Sequence, residues 1–223
     1  MNSLWARLRA TSIIVRAVFL LPAAMAAWWF VLKRPSLWLL EKLAYIPLGL
    51  LVAPGGLPPV RVAPDTHEWT FNVAVNTYGR DQQTGQMQFV RSLEFTADED
   101  GIAFFAASWF AYLALAGAAG AFTRSQLPRV AKGLGIETAI NILSLAAYAY
   151  INGYGSVINS PGSTSGYLWL LQYLYHLIYL VVPFAGPFGV ALLLHPPWRE
   201  YLGFLDVEAP PAGQKKSPRP RRA

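Results

Sequence analysis

Four apolar runs, each near the length a helix needs to cross a hydrocarbon layer, constrain this chain more than any motif in it. They are SIIVRAVFLLPAAMAAWWFVL at Ser12–Leu32, GIAFFAASWFAYLALAGAAGAF at Gly101–Phe122, GIETAINILSLAAYAYI at Gly135–Ile151 and YLWLLQYLYHLIYLVVPFAGPFGVALLL at Tyr167–Leu194. A spanning helix takes roughly 20 apolar residues. Lipid offers the backbone no hydrogen bonds, so runs like these fold as helices. Composition agrees: of 223 residues 54% are hydrophobic and only 13% charged, with a mean hydropathy of +0.33, too few charges to clad a water-soluble globule of this length. The predicted fold is an all-α membrane bundle of four transmembrane helices with a small appended segment.

Loop charges set the orientation. A short segment, 1–11, places Arg7 and Arg9 before span one (12–34) and holds that end in the cytoplasm. Ala24–Met25–Ala26 imitates a signal-peptide cleavage site, but the apolar run continues through Trp28, Trp29 and Phe30 and further spans follow, so the segment reads as an uncleaved anchor. Span two (101–122) and span three (135–152) are joined by 123–134, in which Arg124, Arg129 and Lys132 meet no acid; this loop is expected inside. The segment 57–100 carries more acids than arginines and the loop 153–166 carries no charge, so both are expected outside. Span four (167–195) then returns the chain to a basic tail, 196–223, with Lys215, Lys216, Arg219, Arg221 and Arg222. Both termini are cytoplasmic on this scheme. The charged run QKKSPRPRRA has no aromatic residue among its charges to stack on bases, which argues for a lipid surface and against nucleic acid.

Two features fit the scheme less directly. Lys33 and Arg34 lie at the outer end of span one, where flanking tryptophans suggest interfacial anchoring. The stretch Ser36–Val52 is apolar yet contains Glu41, Lys42 and Pro47; the expectation is an interfacial or re-entrant helix over 35–56, because a fifth span would reverse every later loop.

Outside the bilayer the periodicity changes. EWTFNVAVNTY alternates Trp69, Phe71, Val73 and Val75 with smaller or polar residues, the period of a half-buried strand. A second β-prone run, QMQFVRSLEF, follows the turn-forming GRDQQTG. An extracytoplasmic β-hairpin is predicted, with strands near 69–78 and 87–96, resting on a helix, the bilayer or a partner, since an isolated hairpin is marginal in water. Its edges make strand addition by a partner physically available. Asp98, Glu99 and Asp100 lack cation-loop spacing and suit the N-terminus of span two.

Ionisable residues inside a membrane are the default functional candidates. Arg16 is close enough to the inner face to reach headgroups. Glu137, Asn141 and Ser144 fall at i, i+4 and i+7, a polar stripe directed at other helices, with Glu137 roughly 3–5 Å inside the boundary. His176 counts to roughly 13 Å below the outer boundary, near the depths of Ser144 and Tyr148, so a bond to Tyr148, Ser144 or Tyr112 is within reach. The candidate intramembrane polar or packing site is therefore Glu137, Asn141, Ser144, Tyr148 and His176. Helix packing is signalled by Ala103, Ala107 and Ala111, and by Gly117 with Ala121, at the small-xxx-small spacing. Pro183, Gly186, Pro187 and Gly189 predict a kink in span four.

Cysteine is absent, which removes thiolate metal sites, iron–sulfur clusters and cysteine nucleophiles. No nucleotide, zinc-hydrolase or serine-nucleophile fingerprint occurs. No catalytic, cofactor or metal residue is assigned. The layout of WWFVLKRPSLWLLEKLAYIPLGLL, an outer β-like segment, SLEFTADEDGIAFFAASWFAYLALAGA and two more spans resembles, over residues 13–195, the exosortase H-associated small integral membrane protein family. The resemblance implies an accessory role in envelope protein sorting in a bacterial cytoplasmic membrane. Exosortases use a catalytic cysteine, so it also implies that this chain is not the peptidase. The expected function is a non-enzymatic accessory or assembly subunit that binds lipid and another integral membrane or envelope protein. The alternative is a small transporter or channel component whose Glu137, Asn141 and His176 share one polar path.

Overall fold

The computed structural model describes residues 12–52, 58–80, 86–158 and 166–202. The N-terminal segment 1–11, most of the turn after Gly79, the middle of the loop 153–166 and the tail from residue 203, with Lys215, Lys216, Arg219, Arg221 and Arg222, lie outside the described residues. Helix α1 runs Ile13–Leu51, with a widened π-helical turn at Trp28–Leu32. Three strands follow, β1 Val60–Val62, β2 Trp69–Arg80 and β3 Met87–Ala97. Then come α2 Glu99–Ala118, α3 Leu127–Ile158, α4 Gly166–His176, a second π-helical turn at Leu177–Val181, α5 Val182–Leu194 and the short α6 Pro196–Tyr201.

Three helices, α1, α2 and α3, are long and apolar enough to cross a membrane, and there are four if the pair α4–α5, bent by 58°, counts as one broken span. The outer surface is what lipid requires: Val18, Phe19, Phe30, Val31, Leu143, Phe184 and Leu193 all face outward, Phe30 82% exposed. The protein is membrane-associated, mainly helical and multi-pass, with a small antiparallel sheet at one end.

α1 and α2 are antiparallel. Lys33 near the middle of α1 pairs with Glu99 (3.1 Å) and Asp100 at the start of α2, while Gly117 and Gly120 at its far end approach Leu20 and Arg16. Glu99 and Asp100 also sit in the first turn of α2, where the helix dipole favours them.

The separate helix predicted over 35–56 is not present as such: α1 continues through Pro35 to Leu51. A proline removes one backbone donor and crowds the carbonyl four residues earlier, here Val31. The π-helical turn Trp28–Leu32 encloses that residue and absorbs the mismatch. The second π-helical turn, Leu177–Val181, stands in the same relation to Pro183 and Tyr179. At 1.5 Å per residue α1 is about 58 Å long and α3 about 48 Å, against roughly 30 Å of hydrocarbon. Both therefore extend well past a bilayer, and the sheet packs between their extended ends.

The predicted hairpin is two strands of a three-stranded antiparallel sheet in the order β1-β2-β3. Val60 pairs with Phe71, and Phe71 with Phe95. Val60–Val62 is too short to show a period, which hides β1 from pattern reading. The β2–β3 register slips between Ala74 and Thr77, where Asn76 adopts φ 42°, the left-handed conformation of a bulge. Phe71 and Val73 are fully buried against α3, so closely that Gly153 on α3 has no room for a larger residue: a Cβ there would meet Val73 at 3.0 Å.

Other boundaries also move. α3 begins at Leu127 within the predicted loop 123–134 and ends at Ile158 within the loop 153–166, and two of its glycines, Gly133 and Gly153, are packed closely against Tyr112 and Val73. Residues 196–201, expected in the tail, form α6, which turns back so that Trp198 is buried and its indole N–H donates to the Leu115 carbonyl at 3.0 Å.

Candidate functional site

The polar side chains that the sequence distributes over α2 and α3 meet in one buried layer. Glu137, Asn141 and Ser144 lie on one face of α3, all buried, Glu137 completely so. Ser108 of α2 faces them. Asn141 Nδ2–H donates to Ser108 Oγ at 2.7 Å, and the Ser108 hydroxyl has two acceptors at 3.0 Å, Asn141 Oδ1 and the Phe105 carbonyl. One turn along α2, Tyr112 fits into a notch made by Gly133: a Cβ on that glycine would lie 1.9 Å from the Tyr112 hydroxyl oxygen. Tyr112 Oη is 3.0 Å from His195 Nε2 and 3.5 Å from the Arg129 carbonyl.

Glu137 differs from the bonded Ser108, Asn141 and Tyr112. Among the described residues neither of its carboxyl oxygens has a partner in hydrogen-bonding geometry. Both lie against the backbone of Gly186 in α5, 3.6 and 3.7 Å from the place its Cβ would occupy. Gly186 stands between Pro183 and Pro187, so α5 passes Glu137 with a slim and interrupted backbone.

The remaining predicted residues separate from this layer. Tyr148 is buried at the sheet end among rings, 5.9 Å from Phe105, 6.2 Å from Phe71 and 6.0 Å from Tyr179 between centroids. His176 does not reach Tyr148, Ser144 or Tyr112. Its side chain is exposed and its Nδ1 pairs with the Gln172 carbonyl at 2.7 Å, because the bend before α5 turns α4 away from the layer. The histidine that joins the buried tyrosine is His195, which sequence counting placed at the end of span four and left unused. Ser108 and Tyr112, four residues apart in the middle of an apolar run, were the available signal for the α2 half of the layer.

Of the predicted packing residues, Ala103, Ala107 and Ala121 are buried, and Gly117 touches Phe122 and Leu20. Ala107 and Ala111 form the floor of an apolar groove of about 370 Å³ between Leu21 and Met25 of α1 and Pro183, Phe184 and Pro187 of α5. Among the described residues no group of three metal-ligating side chains converges.

A scan against family models finds no match to this sequence, and searches of curated proteins and of solved structures find none either.

Proposed function

We propose that this chain is a non-enzymatic accessory or assembly subunit of an envelope complex in a bacterial cytoplasmic membrane, with four spans, both termini inside and the sheet outside. One observation carries the reading. The half of α1 beyond Lys33 buries Leu37, Leu40, Ala44 and Leu48 on one face, yet presents Trp38, Ile46 and Leu50 on the other, Leu50 84% exposed. That outward face holds the Glu41–Lys42 pair but is otherwise apolar, and this half lies beyond the length that hydrocarbon can cover. A partner protein with an apolar face of its own meets that requirement. Tyr78, Met87 and Phe89 add exposed apolar surface on the sheet. The resemblance of the layout to exosortase-associated proteins names the first partner to test.

The transport alternative requires Glu137, Asn141 and His176 on one wet path. Asn141 is spent on Ser108 and His176 faces away, which favours the accessory role.

The test is site-specific photo-crosslinking. With a photo-reactive amino acid at Ile46 or Leu50, a co-expressed exosortase is expected to crosslink; from Phe19, on the lipid-facing part of α1, it is not. Crosslinks to lipid alone from all three positions would overturn the reading.

A further inference from the structure

Glu137 is the least explained group in the molecule. A carboxyl group with no exposed surface, and with only the Ser108 hydroxyl near enough to interact but not in hydrogen-bonding geometry, is very costly when ionised. No cation faces it. From α2 the groups turned toward it are Ser108 and Tyr112. Gly186 of α5 and Ile140 of α3 bring no charge. Arg16 lies by Gly120 at the far end of α2, and Arg129 is about two turns from Glu137 along α3.

Polar groups stand in a row between that far end and the carboxyl, hydrogen-bonded as far as Tyr112. Arg129 has an exposed side chain and its carbonyl is 3.5 Å from the Tyr112 hydroxyl. His195, one residue beyond the end of α5, holds the same hydroxyl at 3.0 Å through Nε2. Tyr112 sits in the Gly133 notch, and Glu137 lies four residues further along the same face of α3, about 6 Å along the axis; its carboxyl rests against Gly186 without a bond to Tyr112, so the last transfer requires the glutamate side chain to swing toward the Tyr112 hydroxyl.

We propose that Glu137 is a proton-binding site, loaded from the end remote from the sheet through His195 and Tyr112. The transfer balances. A proton arrives on His195; its Nε2–H passes to the Tyr112 oxygen as the Tyr112 proton passes to a Glu137 oxygen. Tyr112 ends as it began, His195 is neutral again and Glu137 is a carboxylic acid. In that form it gains an O–H donor, and Ser108 Oγ, which accepts only one bond from Asn141, retains an acceptor lone pair beside it. On the orientation proposed above the proton comes from the cytoplasm, but the site and its route do not depend on the partner-binding role.

Infrared spectroscopy of the full chain in lipid nanodiscs tests both parts. The protonated-carboxyl C=O stretch is expected in the wild type at neutral pH, shifted on transfer to D₂O and lost in Glu137→Gln. Tyr112→Phe and His195→Ala are expected to keep the band and slow its deuterium exchange by about a hundredfold, the scale of a lost positioned proton-transfer group. Were Glu137→Gln too poorly folded to measure, Glu137→Asp would serve, by displacing the band. Absence of the band in the wild type overturns the site. An exchange rate unchanged in both relay variants overturns the route.

Discussion

The two ends of the molecule are held together by different chemistry, and the polar layer lies between them. At the sheet end the core is large and aromatic: Phe71, Trp69, Phe105 and Tyr148 pack with Leu40 and Leu48. At the remote end it is small: Ala17, Ala116, Ala118, Ala121 and Ala191 close around Tyr112 and Trp198. In water, burying rings is strongly favourable. Between lipid-bathed helices that driving force is absent, and close approach of small residues takes its place. The same chain thus uses each solvent's own rule on either side of the Glu137–Asn141–Ser108 layer.

The largest expected effect tests whether the ends are separable. Phe71→Ala removes a fully buried ring at the centre of the sheet-end core and is expected to destabilise by about 3–5 kcal/mol. Hydrogen exchange should show β2 amides losing protection while Ala116 and Ala118 in α2 keep theirs. Equal loss at both ends would mean one cooperative unit and would break the comparison.

Gly133 tests the junction. Gly133→Ala forces a methyl group into the place held by the Tyr112 hydroxyl, and overpacking of this kind is expected to destabilise by about 1–3 kcal/mol, read by unfolding in mixed micelles. Gly135→Ala is the control: nothing lies within 4 Å of its Cβ position. There the better helix propensity of alanine is expected to stabilise by about 0.5–1 kcal/mol. Two glycines two residues apart, on opposite sides of the helix, would then move stability in opposite directions.

That pair also shows where the sequence is legible and where it is not. Apolar runs mark the long helices, and the period-two pattern marks β2 and β3, because each periodicity reports one element and its solvent. The stripe Glu137–Asn141–Ser144 is visible for the same reason. What pairs with it is not: Gly133 and Gly135 look alike until Tyr112 is placed against one of them. His195 and His176 carry equal weight in the sequence until the bend at Leu177–Val181 turns one away. The continuity of α1 through Pro35 depends on the π-helical turn Trp28–Leu32, and a proline after an apolar run reads equally well as a helix end.

A smaller effect bears on the polar layer. Asn141→Leu leaves Ser108 without its cross-helix donor, and hydrogen bonds between membrane helices average about 0.6 kcal/mol and rarely exceed about 1.7. A loss within that range in mixed-micelle unfolding assigns the bond an ordinary packing role. A loss several times larger would mean that the layer, and not the two apolar cores, holds α2 to α3.

The smallest effect concerns the boundary where the two solvents meet. Lys33 is paired with Glu99 and Asp100 and lies 4.8 Å from the centre of the Trp29 ring, with Asp100 largely exposed. Pairs of this kind contribute about 0–1 kcal/mol, so Lys33→Ala is expected to leave unfolding nearly unchanged. Its effect on orientation separates two accounts of the charge at this end. If Lys33 is neutralised by its partners, its removal leaves the protein facing the same way. Loss of Arg124, Arg129 and Lys132, which meet no acid in their loop, is expected to disturb the orientation instead. The absence of cysteine makes the measurement clean: Thr66→Cys, exposed between β1 and β2, reports its side of the membrane by reaction with an impermeant thiol reagent. Labelling from outside that persists in Lys33→Ala and falls in the triple variant confirms that the boundary is set by the unpaired loop charges. Labelling that falls in Lys33→Ala alone would give that lysine a topological role its ion pairs do not suggest.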